Sequence, residues 1–182
     1  MTTRRQPSRW SDLKKRLAPL GRSELVALIK AMYDASADNR DFLQTRLATD
    51  ADDESSVEPY RRRILAAFDA EHLNLREGRR AIREFRKASS SLPGTVELLL
   101  TYIEAGTDFT CLFGDMDAPF YDSVLSVLEE LTSLLLSDAR DLYPRFRPRL
   151  LKVREQSDGI GWGYGDTVED CVGEIEDRLG LT

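Results

Sequence analysis

Apolar residues recur every three or four positions along most of the chain. This spacing places them on one face of an α-helix, and no stretch alternates apolar and polar residues long enough to indicate a β-strand. The pattern therefore predicts an all-α protein. Eight helices are expected, at about residues 24–36, 39–48, 55–70, 76–88, 95–111, 117–136, from between 144 and 148 to 157, and 166–180.

The predicted helices form four consecutive pairs, which open near residues 23, 56, 95 and 145. The distance between these openings grows along the chain, and the pairs share no consensus sequence, so the pattern does not indicate a regular tandem repeat. We expect about eight helices in four antiparallel pairs, arranged as an irregular bundle or an α-α superhelix.

Polar and breaking residues mark the expected helix ends. Thr95 and Asp117 are predicted N-caps, and Asp166 with Glu169 fits a capping box. Two prolines four positions apart, Pro144 and Pro148, are not expected inside one regular helix. The first helix is predicted to place Leu25, Leu28, Ile29 and Met32 on one face, and the second helix is predicted to bury Phe42, Leu43 and Leu47.

Composition narrows the class of protein. With 182 residues, 41% hydrophobic and 32% charged, the chain is typical of a globular domain. No apolar run approaches a membrane span, and the N-terminus lacks the features of a signal peptide, so the protein is predicted to be cytoplasmic without membrane contact. Residues 1–20 are expected to form a basic N-terminal arm, and residues 21–182 a single helical domain.

Few residues suggest catalysis or metal binding. Cys111 and Cys171 are expected to be reduced and buried, so neither a disulfide nor a zinc site is predicted. His72 is the only histidine, and no hydrolase or metalloprotease motif is present. We therefore expect no catalytic residue and no cofactor, although an enzyme is not ruled out.

The segment DGIGWGYGD, residues 158–166, alternates glycines with large apolar residues. Its glycine spacing fits no phosphate-binding loop, and the acids that follow it at the start of a predicted helix disfavour an anion. Trp162 and Tyr164 either plug the core or present flat rings to a ligand. In the second case, a cationic ligand suits the segment best.

A second segment, DFTCLFGDMDAPFYDS, places Asp108, Asp115, Asp117 and Asp122 around a turn between helices. Oxygen clusters of this kind can bind hard cations, but the spacing is not that of an EF-hand, and capping explains Asp117. No tight metal site is predicted. If consecutive helices are antiparallel, both segments lie at one end. The predicted ligand-binding residues are Asp108, Asp115, Asp117, Tyr121, Asp158, Trp162, Tyr164 and Asp166.

Both segments resemble stretches of an uncharacterised family of bacterial helical proteins, catalogued as a domain of unknown function. SELVALIKAMYDASADNRDFL and REGRRAIREFRKAS are similar to it as well. The resemblance covers most of the chain after the N-terminal arm, and it implies an all-helical fold without implying an activity, a cofactor or a catalytic residue.

Three functions follow from these observations. The favoured one is a non-catalytic helical module that binds a partner protein or a small cationic ligand through its Asp-, Trp- and Tyr-rich end. The alternative is a metal-dependent enzyme that uses the same aspartates. The third is weak, nonspecific nucleic-acid binding through the basic arm and the arginine-rich helix at 76–88. The oligomeric state is not predicted.

Overall fold

A computed structural model describes residues 9–48, 54–161 and 163–181. Over these residues the chain forms nine α-helices, one 3₁₀ turn at Arg140–Leu142 and no β-strand, so the all-α prediction is confirmed. The helices are α1 (Trp10–Leu17), α2 (Arg22–Ala35), α3 (Ala37–Leu47), α4 (Glu54–Ala67), α5 (Leu75–Ala88), α6 (Leu92–Phe113), α7 (Ala118–Leu135), α8 (Tyr143–Ser157) and α9 (Tyr164–Leu179).

The chain forms two compact units, one within residues 1–43 and the other within residues 44–182. The first contains α1, α2 and the start of α3, and the second contains α4 to α9. The division into an arm of residues 1–20 and one domain of 21–182 stays a prediction. In the part of the chain that the structure describes, no helix is both long and apolar enough to cross a membrane.

Helix α6 is the centre of the second unit. It packs against α4, α5, α7 and α8, and α9 packs against α7 and α8. Two glycines allow close packing here: a Cβ on Gly94 would lie 2.5 Å from the Phe85 ring, and one on Gly106 would lie 2.6 Å from Val124. Gly106, which weakens a helix by its conformational freedom, therefore allows α6 and α7 to approach.

Two predicted helix starts need correction. Helix α6 begins three residues earlier than expected, because Ser91, not Thr95, is the N-cap and accepts the N–H of Gly94. Both prolines of α8 lie inside the helix, contrary to the prediction. Pro144 occupies the first turn, where amide groups lack helical partners, so only Pro148 removes a helical hydrogen bond.

The predicted burial of Phe42, Leu43 and Leu47 is wrong. No residue of α1 or α2 is buried, and α3 buries only Thr45. Apolar periodicity identifies an apolar face, but it does not show what covers that face. Cys111 is exposed and Cys171 is partly buried, although both were expected in the core, and both thiols are free.

Candidate functional site

The glycine-rich loop and the FGDMD turn lie side by side. The loop is residues 158–165, from the end of α8 into the first turn of α9, and the turn is residues 113–117, from the last residue of α6 to the N-cap of α7. A Cβ on Gly161 would lie 3.1 Å from Oδ2 of Asp115. The fold thus brings together two segments that are about 45 residues apart in sequence, as the sequence analysis expected.

The hydroxyl of Tyr121 holds the FGDMD turn by hydrogen bonds. This tyrosine is buried, and its hydroxyl lies 2.8 Å from Oγ1 of Thr110 and 3.2 Å from Oδ1 of Asp115. The same hydroxyl accepts the N–H of Met116 at 3.3 Å. Asp117 caps α7 by accepting the N–H of Phe120, as predicted. Tyr121 and Asp117 therefore fix the turn.

Tyr164 plugs the core beneath the glycine-rich loop. Its side chain is fully buried, and its ring centroid lies 5.4 Å from that of Tyr121. The Thr107 hydroxyl donates to the carbonyl of Ile103, so the Tyr164 hydroxyl donates to Oγ1 of Thr107, at 2.6 Å. Burial raises the pKa of Tyr164 to about 12. The core-plug interpretation thus applies to Tyr164.

Glycine geometry shapes the loop itself. Gly159 and Gly163 have φ of 77° and 70°, a region that side chains disfavour. A Cβ on Gly165 would lie 2.5 Å from the carbonyl oxygen of Ser157. Helix α9 begins at Tyr164, so Asp166 lies within its first turn. The prediction that Asp166 is the N-cap is therefore wrong, and Gly163 occupies that position. Trp162 lies outside the described residues.

A cavity of about 760 Å³ opens between the end of α8, the loop and the first turns of α9. Asp158 and Asp166 both line it, so the fold brings these two predicted residues to one concave surface. The other lining residues are Leu151, Arg154, Glu155, Gly159, Ile160, Gly165 and Glu169. Four carboxylates therefore face the cavity together with one guanidinium.

Arg154, the one cationic side chain among the described lining residues, is paired with neighbouring acids. A guanidinium nitrogen of Arg154 lies 3.4 Å from Glu169, and another lies 3.7 Å from the buried Glu176. Glu176 also accepts from Arg147, at 2.7 Å. Because Arg154 is shared between two carboxylates, the cavity retains an excess of negative charge.

The other predicted residues that the structure describes lie outside the cavity lining. Asp108, on the surface of α6, accepts a hydrogen bond from Gln156 at 3.1 Å, and Asp115 lies beside Gly161. Arg154, Glu155 and Glu169 were not among the residues predicted from the sequence. Their helical spacing to Asp158 and Asp166, at three or four positions, was the available signal.

The described residues offer little for catalysis or metal binding. They contain no group of three or more His, Cys, Asp or Glu side chains placed to hold a metal ion. Partial desolvation, and then the charge of Asp108, raises the pKa of Cys111, which disfavours the reactive thiolate. His72 lies 84% exposed, with Nδ1 at 3.8 Å from the Asp69 carboxylate.

No protein-family model, curated protein or solved structure matches this chain. Its function is therefore inferred from the geometry and chemistry of its own residues.

Proposed function

We propose that the chain is a non-catalytic binding module whose acidic cavity takes an organic cation, namely an ammonium or guanidinium group. The cavity beside the glycine-rich loop carries this proposal. The same cation chemistry occurs in polyamines and in the arginine and lysine side chains of a partner protein. We also propose that the protein is cytoplasmic and related to the bacterial helical family that its sequence resembles.

The charge of the cavity favours a cation. Glu155, Asp158, Asp166 and Glu169 face it, and Arg154 is the one base in the part of the lining that the structure describes. The concave arrangement concentrates their field, since carboxylates of one sign around a cleft raise the local concentration of counter-ions. Asp166 and Glu169 also lie in the first two turns of α9, where the helix dipole favours negative charge.

The size of the cavity favours an organic cation over a bare metal ion. A volume of about 760 Å³ lies within the range of small-molecule sites. The described carboxylates are spread around this volume and form no metal-binding group. Leu151 and Ile160 add apolar surface for the methylene groups of the ligand. Trp162 stays a predicted ligand residue, because an indole ring attracts organic cations.

Nucleic-acid binding is less well supported. Three of the six basic side chains of α5 contact acids or polar groups: Arg80 contacts Glu84 at 2.7 Å, and Arg86 pairs with Glu130. Arg79 donates to Ser126 at 2.5 Å. These partners reduce the positive charge available to phosphates, so any such binding should be weak, nonspecific and lost at high salt.

Isothermal titration calorimetry with two probes tests the proposed site. One probe is spermidine, and the other is a tetra-arginine peptide. We expect at least one to bind with micromolar to millimolar affinity. The double variant Asp158→Asn, Asp166→Asn should bind about tenfold or more weakly, since it removes two of the charges that face the ligand. The tighter probe indicates whether the natural cation is a polyamine or a peptide side chain.

The matched control is Asp138→Asn, Asp141→Asn, which removes the same charge from two exposed positions before α8, at the opposite end of that helix from the cavity. This control should bind like the wild type. The proposal is wrong if neither probe binds, or if both double variants weaken binding equally, because general electrostatic attraction then suffices.

A further inference from the structure

Helix α2 exposes an apolar face along its length. Val26, Leu28, Ile29 and Met32 are 58%, 41%, 46% and 49% exposed. Leu25, Leu28, Ile29 and Met32 have the i, i+3, i+4, i+7 spacing of a continuous stripe. A helix of this length is marginally stable in water unless such a stripe is packed. The face therefore needs a covering surface.

We propose that a second copy of this chain covers the apolar face of α2. The two helices would pair antiparallel about a twofold axis between Leu28 and Ile29. In this register Leu28 of one copy opposes Ile29 of the other, and Leu25 opposes Met32. The stripe is then self-complementary, as an interface between identical chains requires.

Charge selects a second copy as the occupant and sets the direction of the pairing. Before and at the start of α2, the chain carries Lys14, Lys15, Arg16 and Arg22, with Glu24 as the one acid between 14 and 24. At the end of α2 and in α3 it carries Asp34, Asp38 and Asp41, with Arg40 as the only base between 34 and 41. Antiparallel pairing places the basic end of one copy beside the acidic end of the other, whereas parallel pairing opposes like charges.

The opposite face of α2 is not suited to form the dimer interface. Ala27 and Ala31 provide little apolar surface there, and Lys30 pairs with Asp34 within the helix. With 14 residues, α2 is about 21 Å long. An interface of that length is small for a specific complex, so we expect a reversible dimer with micromolar affinity.

Sedimentation equilibrium of the full chain over a range of concentrations tests this inference. The wild type should show a reversible monomer–dimer equilibrium. Ile29→Glu places a charge in the middle of the apolar stripe and should weaken the dimer by tenfold or more. Ala27→Glu adds the same charge on the opposite face and should leave the dimer unchanged. Circular dichroism verifies that both variants keep the helical content of the wild type.

The direction of pairing has its own test. Arg22→Glu should weaken the dimer, because it opposes an acid to the acidic end of the other copy. Adding Ala35→Arg, at the position that this register places opposite residue 22 of the other copy, restores opposite charges, so the double variant should recover most of the wild-type affinity.

Three results would overturn the inference: a monomer at every concentration, a dimer that Ile29→Glu leaves intact, or a dimer that Arg22→Glu leaves unchanged or tightens. None of these variants lies in the acidic cavity, so the outcome is independent of the cation-binding test.

Discussion

Tyr164 and Trp162 lie two positions apart in one loop, and we assign them different roles. Tyr164 is fully buried and donates a hydrogen bond to Thr107, so it belongs to the core. Its burial under the loop leaves Trp162 as the aromatic residue that we propose for ligand contact. The alternation of glycines and aromatics suggested a single role for both rings.

Tyr164→Phe tests the core role. At neutral pH we expect a loss of about 1 kcal/mol of unfolding free energy, the usual contribution of one hydrogen bond. Burial raises the pKa of Tyr164 to about 12, above its ordinary value near 10. The folded state therefore holds the phenolic proton more tightly, and this stabilisation is complete below about pH 10 and lost as pH rises through 12.

Urea unfolding at neutral and alkaline pH measures this effect. From neutral to alkaline pH, the unfolding free energy of the wild type should fall more than that of Tyr164→Phe. The expected difference is on the order of 2 kcal/mol when the titration is complete. Equal losses in both proteins would mean that the buried phenol does not titrate as described.

Trp162→Ala tests the ligand role. We expect a stability change well below the roughly 3 to 5 kcal/mol that deletion of a buried aromatic residue costs, together with much weaker spermidine binding. Tyr164→Ala is the comparison, because its ring is buried and its removal should cost the full amount. Thermal denaturation and calorimetry measure both properties. A large loss of stability for Trp162→Ala would place its ring in the core instead.

At the scale of elements, the start of α9 depends on a close backbone approach. Gly165→Ala would place a Cβ 2.5 Å from the carbonyl oxygen of Ser157. Because that oxygen belongs to the backbone, the clash can be relieved only if the loop shifts. We expect a loss of about 1 to 3 kcal/mol. Weaker cation binding should accompany it, because Gly165 also lines the cavity.

Gly173→Ala in the same helix is the matched control. A Cβ at this position meets no atom within 4 Å, so the substitution should stabilise the helix by about 0.5 to 1 kcal/mol. Chemical denaturation of the two variants should thus give shifts of opposite sign. Shifts of the same sign would show that the contact at Ser157 does not constrain the loop.

The helices of this fold were largely predictable because caps and apolar stripes act locally. Asp117 caps α7 as its sequence position suggested, and the apolar stripe of α2 lies within a helix. The start of α9 was harder to predict from the sequence, because the close approach of Gly165 to Ser157 is a tertiary contact that leaves no local pattern. The same limit applies to the burial of α2, which depends on what covers its face.

The candidate site was predictable in its position more than in its composition. Helix order indicated that the glycine-rich loop and the FGDMD turn meet, and Asp158 with Asp166 lines the cavity. Glu155 and Glu169 were missed because acids on a helix surface usually face solvent, and only the packing of α8 beside α9 turns them toward a common cavity. Tyr121 carried no sequence signal for its inward hydroxyl.

For the whole molecule, the central claim is that a cation binds at one place on an acidic protein. A ¹H–¹⁵N correlation spectrum recorded during a spermidine titration tests it most directly, because glycine amides form a separate, readily assigned region. We predict saturable shifts for Gly159, Gly161, Gly163 and Gly165, with Gly78 and Gly94 unchanged. Small, non-saturating shifts spread over acidic residues throughout the chain would contradict a specific site.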